Sequence, residues 1–463
     1  MAAFFETIAA ISTPPGKGGV ALIRMSGDRS DEIASRVFVS ASGKPYSSIK
    51  PRVASYGYIT EDGERIDDVL LTRFPAPSSY TGEDVVEICC HGGVLVTSAV
   101  LEALIKAGAR YAEAGEFTRR AFISGKLSLT EAEAIGTLLE AESREQLRLS
   151  SEPSRRALET RISDIRTKLV GAMSSVYARI DYPDEDLGEY SDEELLETLS
   201  EIREELATLG ATYRTGKAIS EGVSTAIIGK PNAGKSSLYN LLVGEDAAIV
   251  TDVMGTTRDV LERSVPLGRV MLRLYDTAGI RDESKADGIE RIGIEKSRKI
   301  LAKCELLFAL FDNSRPFDED DERVISELSS AMGKKIAIIN KSDLDSALDT
   351  DLIKKTFDEV LEISTLCESD AIIALTETVE RLFTDGKIKC GVDPIIYSAR
   401  QNAAIHSAIE YLDEAIEALK LGIPQDAVSG SVERAVGAMG ELDGRKVNEE
   451  IVSDIFAKFC VGK

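Results

Sequence analysis

The stretch STAIIGKPNAGKSSLYNLLVG at residues 224–244 decides the fold of one part of the chain. An apolar run that reads as a strand leads to Gly229, and a helical run follows over Lys235–Val243. Between them Gly229-Lys230-Pro231-Asn232-Ala233-Gly234-Lys235-Ser236 matches GxxxxGK[ST]. In that setting the glycines turn backbone amides towards phosphates, and the helix N-terminus adds partial positive charge. Lys235 reaches β- and γ-phosphate oxygens, and the Ser236 hydroxyl ligates Mg²⁺. Alone, such a match fits a generic nucleoside triphosphatase, or chance.

Two further motifs follow in order. Asp276-Thr277-Ala278-Gly279 ends the apolar run Val270–Tyr275, which suits Asp276 to a magnesium-linked water and the Gly279 amide to the γ-phosphate. Asn340-Lys341-Ser342-Asp343 ends the run Lys335–Ile339. A carboxylate at Asp343 accepts both N1–H and the exocyclic amine of guanine, a donor pair that adenine lacks, so the wrong base leaves polar groups unpaired. Ile363-Ser364-Thr365-Leu366 is a weaker candidate for a further base loop held by backbone contacts.

The expected GTP contacts are therefore Asn232, Ala233, Gly234, Lys235, Ser236 and Ser237, then Thr251, Asp252, Val253, Met254, Gly255, Thr256 and Thr257. Asp276, Thr277, Ala278, Gly279, Asn340, Lys341 and Asp343 complete the set, with Thr257 as a second magnesium ligand beside Ser236. Ras-like enzymes place a water-orienting glutamine after this DxxG, but here that position is Ile280. Arg258, Arg281 and Glu290 are the nearby polar candidates for the missing role.

Outward from this segment the texture changes. Apolar runs at 224–228, 270–275, 305–311 and 335–339 alternating with helical stretches predict a mostly parallel sheet covered by helices. On both sides lie apolar residues at spacings of four and three: Leu158, Ile162, Ile165, Leu169, Ala172, Val176; Leu195, Leu199, Ile202, Leu206, Leu209; and Ile405, Ile409, Leu412, Ile416, Leu419. That rhythm predicts one helical bundle interrupted by an inserted domain, with two separate helical domains as the alternative. Ser128 and Glu131 fit a capping box. Residues 1–120, with short β-branched runs and turns such as Asp62-Gly63, predict an α+β domain. The limits expected are 1–120, 121–215, 216–385 and 386–463.

A formal charge of −24 argues against a protein that coats nucleic acid by bulk electrostatics. The stretch Arg144 to Lys168 is a candidate local basic surface, but its interleaved glutamates favour a solvated helix face. Six cysteines without a CxxC pair make a zinc site or disulfide framework unexpected and point to a reducing cytoplasm. With two histidines, imidazole-pair chemistry is close to excluded.

Several segments resemble the MnmE family (also called TrmE), bacterial tRNA-modification GTPases, over essentially the whole chain. They are ALIRMSG at 21–27 after PPGKGG, YTGED at 80–84, HGG at 91–93, GEFT at 115–118, GTTRD at 255–259, ERIGI at 290–294 and the tail FCVGK at 459–463. The resemblance implies an N-terminal α+β domain that dimerises and binds a folate, a central helical bundle, and an inserted Ras-like phosphate-loop G domain. It implies potassium-dependent GTP hydrolysis as G domains meet, the ion held by Asn232, Thr251, Val253 and Thr256 in place of an arginine finger, with Glu290 orienting water and Arg258 nearby. A 5,10-methylene- or 5-formyl-tetrahydrofolate is implied at Arg24, Glu87, Lys126 and Lys463. The partners implied are a second copy, an FAD-dependent protein resembling MnmG in a hetero-oligomer, and tRNA, with no membrane. The product implied is an aminomethyl or carboxymethylaminomethyl group on C5 of a wobble uridine. Cys460 has two readings, a nucleophile near the folate or mere structure; Gly462 and Lys463 fit a prenylation signature poorly. An alternative function is a GTP-regulated assembly factor for ribosomes or another ribonucleoprotein; a membrane-acting G protein is disfavoured by the lack of a basic amphipathic stretch or lipidation signal.

Overall fold

The computed structural model describes residues 6–181, 191–244, 262–275, 300–329, 331–442, 444, 449–457 and 459–462. The chain divides into two compact units, residues 1–136 with 440–463, and residues 137–439.

The first unit is built on a seven-stranded sheet. Its strands are β1 (Ile8–Ile11), β2 (Ala21–Ser26), β3 (Phe38–Ser40), β4 (Ser55–Glu61), β5 (Glu64–Phe74), β6 (Val85–Cys90) and β7 (Arg110–Tyr111), in the order β3-β4-β5-β6-β2-β1-β7. Neighbours run antiparallel except β1 and β7. Asp62 and Gly63, at φ 49° and 86°, join β4 to β5. Two successive positive φ values match the right-handed strand twist, which is why an Asp-Gly pair stands there. Alternation along β2 puts Ala21, Ile23 and Met25 into the main core with Ile33, Val100 and Leu104 from the helices Ser30–Val37 and Val94–Lys106. Burying each large aliphatic chain contributes about 1.5–3 kcal/mol. Arg24, between two inward residues, necessarily faces the other side. There Ile8, Ala10, Ala112 and Phe117 form a smaller cluster with Tyr80 against it.

The chain end belongs to this unit. Phe456, on the helix Glu449–Ala457, stacks near Phe122 and Phe459 at centroid distances of 6.2 and 5.6 Å and shares a cluster with Leu129 and Ala132. The capping box at Ser128 forms as expected: Ser128 N–H donates to Glu131 Oε2 at 2.9 Å, and Glu131 N–H to Ser128 Oγ at 3.0 Å.

In the second unit the spaced apolar residues become seams on the helices Glu152–Asp181, Asp192–Ala211 and Ala399–Lys420. All eleven residues expected on the first two are buried; on the third, Ile405, Leu412 and Ile416 are buried, whereas Ile409 and Leu419 are partly exposed. The basic stretch pairs with acids: Arg148 with Glu145, Arg156 with Glu152, and both Arg161 and Lys168 with Glu205. Arg144, Arg148, Arg156 and Lys168 are exposed, whereas Arg155, Arg161 and Arg166 are partly buried.

The sheet of this unit has six strands: β8 (Val223–Gly229), β9 (Glu262–Leu267), β10 (Val270–Tyr275), β11 (Leu306–Asp312), β12 (Lys334–Asn340) and β13 (Glu359–Glu362). The order is β13-β12-β11-β8-β10-β9, parallel throughout except the edge strand β9. β11 is buried at all seven positions, as a strand covered on both faces must be. Leu238, Leu375 and Val379 cover one face; Val324, Leu328 and Ile353 cover the other. This is the expected Ras-like arrangement.

Candidate functional site

β8 lies between β10 and β11, the point where the winding of the sheet reverses. The crevice outside the carboxyl ends of strands at such a point is where α/β sheets hold ligands. The phosphate-loop sequence leaves β8 there, and its helix begins at Lys235. Gly234 has φ 103°, and a Cβ on it would meet Asn340 Nδ2 at 2.1 Å, so only glycine fits. Lys235 Nζ donates to the carbonyls of Gly229 and Lys230, 2.9 Å each, which holds the ammonium over the loop. Ser236, Ser237 and Asn232 are exposed, and Ala233 is buried.

The loop after β12 is stapled to this one. Asn340, 1% exposed, donates from Nδ2 to the Ala233 carbonyl at 3.0 Å. Its Oδ1 accepts from Thr365 N–H at 3.0 Å, and Ser342 N–H donates to the Ile363 carbonyl at 3.2 Å. The weaker loop at 363–366 thus joins the other two through backbone groups. Lys341, at φ 66°, donates from Nζ to Asp312 Oδ2 at 2.6 Å. Burial opposes charge on Asp312, but the Lys341 ammonium and the Ser314 hydroxyl and amide hold its carboxyl below the usual range. Asp343 is exposed beside them. The described part therefore puts the phosphate-loop lysine and the exposed Asp343 carboxylate after strands at the same end of one parallel sheet, charges that suit a nucleoside phosphate.

Thr251, Asp252, Val253, Met254, Gly255, Thr256, Thr257, Arg258, Asp276, Thr277, Ala278, Gly279, Ile280, Arg281, Glu290 and Lys463 lie outside the described residues. β10, which leads to Asp276, ends beside β8 with Tyr275 opposite Ala226.

A second constellation lies in the first unit. Arg24 and Glu87 face each other across β2 and β6, with Nε to Oε1 at 2.9 Å. The Arg24 guanidinium sits 5.2 Å from the Tyr80 ring centroid and 5.8 Å from that of Phe117. Lys126 is exposed, and its stem packs at Gly82, two residues from Tyr80. The tail docks at β1: Ala114 and Val461 form an antiparallel bridge, and Ser12 Oγ donates to the Gly462 carbonyl at 2.9 Å. Ile11 pairs with Ile23, so the tail lies one strand from Arg24. Cys460 is exposed, and its carbonyl accepts from Gly115 N–H at 3.4 Å. Arg24, Glu87, Lys126 and the tail thus gather on one unit.

Sequence reasoning missed Lys230, Asp312, Asp318 and Asp321 beside the phosphate loop, and Tyr80, Glu83, Phe117 and Arg120 around Arg24. Tyr80, Glu83 and Phe117 stand in segments that signalled the family, Lys230 stands inside the phosphate-loop motif, and Asp318 and Asp321 have the spacing of a helix N-cap and its third residue; Asp312 and Arg120 carry no local pattern.

Residues 7–126 match the family described as GTP-binding protein TrmE N-terminus, and residues 129–460 match the MnmE helical domain. A protein of Lacticaseibacillus paracasei named tRNA modification GTPase MnmE is 39% identical over 463 residues, covering 99% of this chain and 98% of that protein. Proteins of the same name from a Thermoanaerobacter species and from Listeria welshimeri are 38% and 39% identical, each over 99% of this chain and 100% of their own length.

Proposed function

The chain belongs to the MnmE family of tRNA modification GTPases and is a GTP hydrolase acting in tRNA modification, and we propose that it modifies C5 of the wobble uridine of certain tRNAs. The observation that carries the nucleotide site is the Asn340 side chain, whose two 3.0 Å hydrogen bonds tie the phosphate loop to both base-side loops. Lys235 meets the β- and γ-phosphates, Ser236 and Thr257 hold Mg²⁺, and Asp343 reads guanine. Asn232, Thr251, Val253 and Thr256 would hold a potassium ion, whose charge offsets that developing on the phosphoryl group. Glu290 orients the attacking water, and Arg258 stands by as a further polar group. We place the G domain over 216–385 between helical segments 121–215 and 386–463, of which 121–136 and 440–463 group with the first unit.

Arg24, Glu87, Lys126 and Lys463 would hold a tetrahydrofolate, which supplies the one-carbon unit. The guanidinium and ammonium groups suit the glutamate carboxylates, and Glu87 suits the pterin edge. Cys460 lies in the tail that docks beside them. The protein acts in the cytoplasm as a homodimer with an FAD-dependent MnmG-like partner. Among the described residues no helix is long and apolar enough to cross a membrane.

Two measurements test this reading. Nucleoside mass spectrometry of a deletion strain is expected to show loss of the aminomethyl-type wobble uridines; normal tRNA nucleosides with immature ribosomal subunits would favour an assembly factor instead. Exchanging K⁺ for Na⁺ is expected to slow GTP turnover at least tenfold, the scale of one lost electrostatic contact at about 1.4 kcal/mol. Unchanged turnover removes the potassium assignment.

A further inference from the structure

Lys230 occupies a position that the phosphate-loop pattern leaves open to any residue. Its side chain is nevertheless only 6% exposed. Nζ donates to Asp318 Oδ2 at 2.9 Å and to Asp321 Oδ2 at 2.7 Å, and Asp321 is fully buried. Both carboxylates belong to the start of the helix Glu319–Leu328. Asp318 is its N-cap and accepts from the Asp320 and Asp321 amides, while Asp321 accepts from the Asp318 amide at 3.2 Å. Negative groups are favoured there by the unpaired amides and the helix dipole.

Burial works against charge on Lys230, but the hydrogen bonds to Asp321 and Asp318 outweigh it and raise the ammonium above its ordinary value. Such a pair adds little net stability, since desolvation offsets attraction. Its effect is on position. The Lys230 carbonyl also accepts from Lys235 Nζ at 2.9 Å. One residue thus ties the phosphate lysine, through its backbone, to the buried Asp321 and the half-exposed Asp318, through its side chain.

We propose that Lys230 is a positioning residue for the triphosphate: with Asp318 and Asp321 it pins the start of the phosphate loop to the Glu319–Leu328 helix and so sets where the Lys235 ammonium stands. Loop placement acts on bound substrate and transition state alike, so its loss weakens binding without slowing the bound complex. The inference rests on the nucleotide reading above, and wild-type controls separate the two.

The test is steady-state GTP hydrolysis and calorimetric GDP binding with the full chain, comparing wild type, Lys230→Arg, Lys230→Met and Asp318→Asn. Lys230→Met is expected to raise KM about tenfold with kcat within about twofold, and Lys230→Arg to recover KM to within about threefold. Asp318, which is 51% exposed, can be altered without leaving a buried charge. Asp318→Asn is expected to move KM the same way by about threefold, and it decides the matter should Lys230→Met fail to fold. An unchanged KM in a folded Lys230→Met or Asp318→Asn protein overturns the proposal, as does equal loss in the Arg and Met variants. A wild type that neither binds GDP nor hydrolyses GTP overturns the nucleotide reading instead, and this inference with it.

Discussion

Replacing Asp343 by Asn is expected to weaken GDP and GTP binding about 100-fold, equivalent to about 2.7 kcal/mol, and to admit xanthine nucleotides. The carboxylate offers two acceptor oxygens to guanine N1–H and to the exocyclic amine. Asn keeps one acceptor and turns an NH₂ towards the second donor, so one charge-assisted bond, at about 1.5–3 kcal/mol, becomes a repulsive contact. Xanthine carries a carbonyl where guanine carries its amine, and that oxygen accepts from the new amide. The loop itself should not move: Lys341 remains bonded to Asp312, and Asn340 keeps its bonds to Ala233 and Thr365. Calorimetry with GDP and xanthosine diphosphate on the same protein reads both effects. Undiminished GDP affinity would mean that the base lies elsewhere.

Arg120→Met is expected to destabilise the first unit by about 3–5 kcal/mol, the usual cost of removing one partner from a buried ion pair. Arg120 is 1% exposed and donates to Glu83 Oε2, Glu116 Oε1 and the Glu6 carbonyl, each at 2.9 Å. Without it Glu116, 2% exposed, keeps only Arg110 as a cation among the described residues. Glu83 would lose its ion pair and keep the 2.7 Å bond from the Ser26 hydroxyl.

The pH dependence follows from Glu116. Burial pushes its carboxyl up, but hydrogen bonds from Arg110, the Glu113 amide and Arg120 more than reverse this and leave it below the ordinary range. A carboxyl depressed by folding binds fewer protons in the native state, so its stabilisation is present above the unfolded value of about 4.3. It is lost as pH falls through the folded value. Urea unfolding at pH 7 and pH 4 should therefore show the gap between wild type and Arg120→Met widest at pH 7. A gap under about 1 kcal/mol at pH 7 would reduce the network to surface-like pairing.

The phosphate-loop turn and the strands that lead into it and into Asn340 were legible because their signals are local. A phosphate loop needs its glycines, lysine and hydroxyl within eight residues, and a base loop needs its carboxylate at the tip of one strand. Helix seams and the Ser128 cap are likewise written in spacings of three and four. The fully apolar β11 and the alternating β2 declared their faces for the same reason: backbone geometry converts short-range pattern directly into orientation.

Nothing local announces that Lys230 meets acids 88 and 91 residues away, that Asn340 closes on Ala233 across 107, or that Arg24 faces Glu87 across 63. The same holds for the tail, whose Val461 pairs with Ala114. A charged side chain has the same local appearance whether it is solvated or buried against a partner. Strand order and helix placement choose between these, because they decide which distant groups share a low-dielectric space. The sequence alone thus determined the kind of chemistry and the elements that carry it; the tertiary structure decided which charges are paired, and so which residues hold the loops in place.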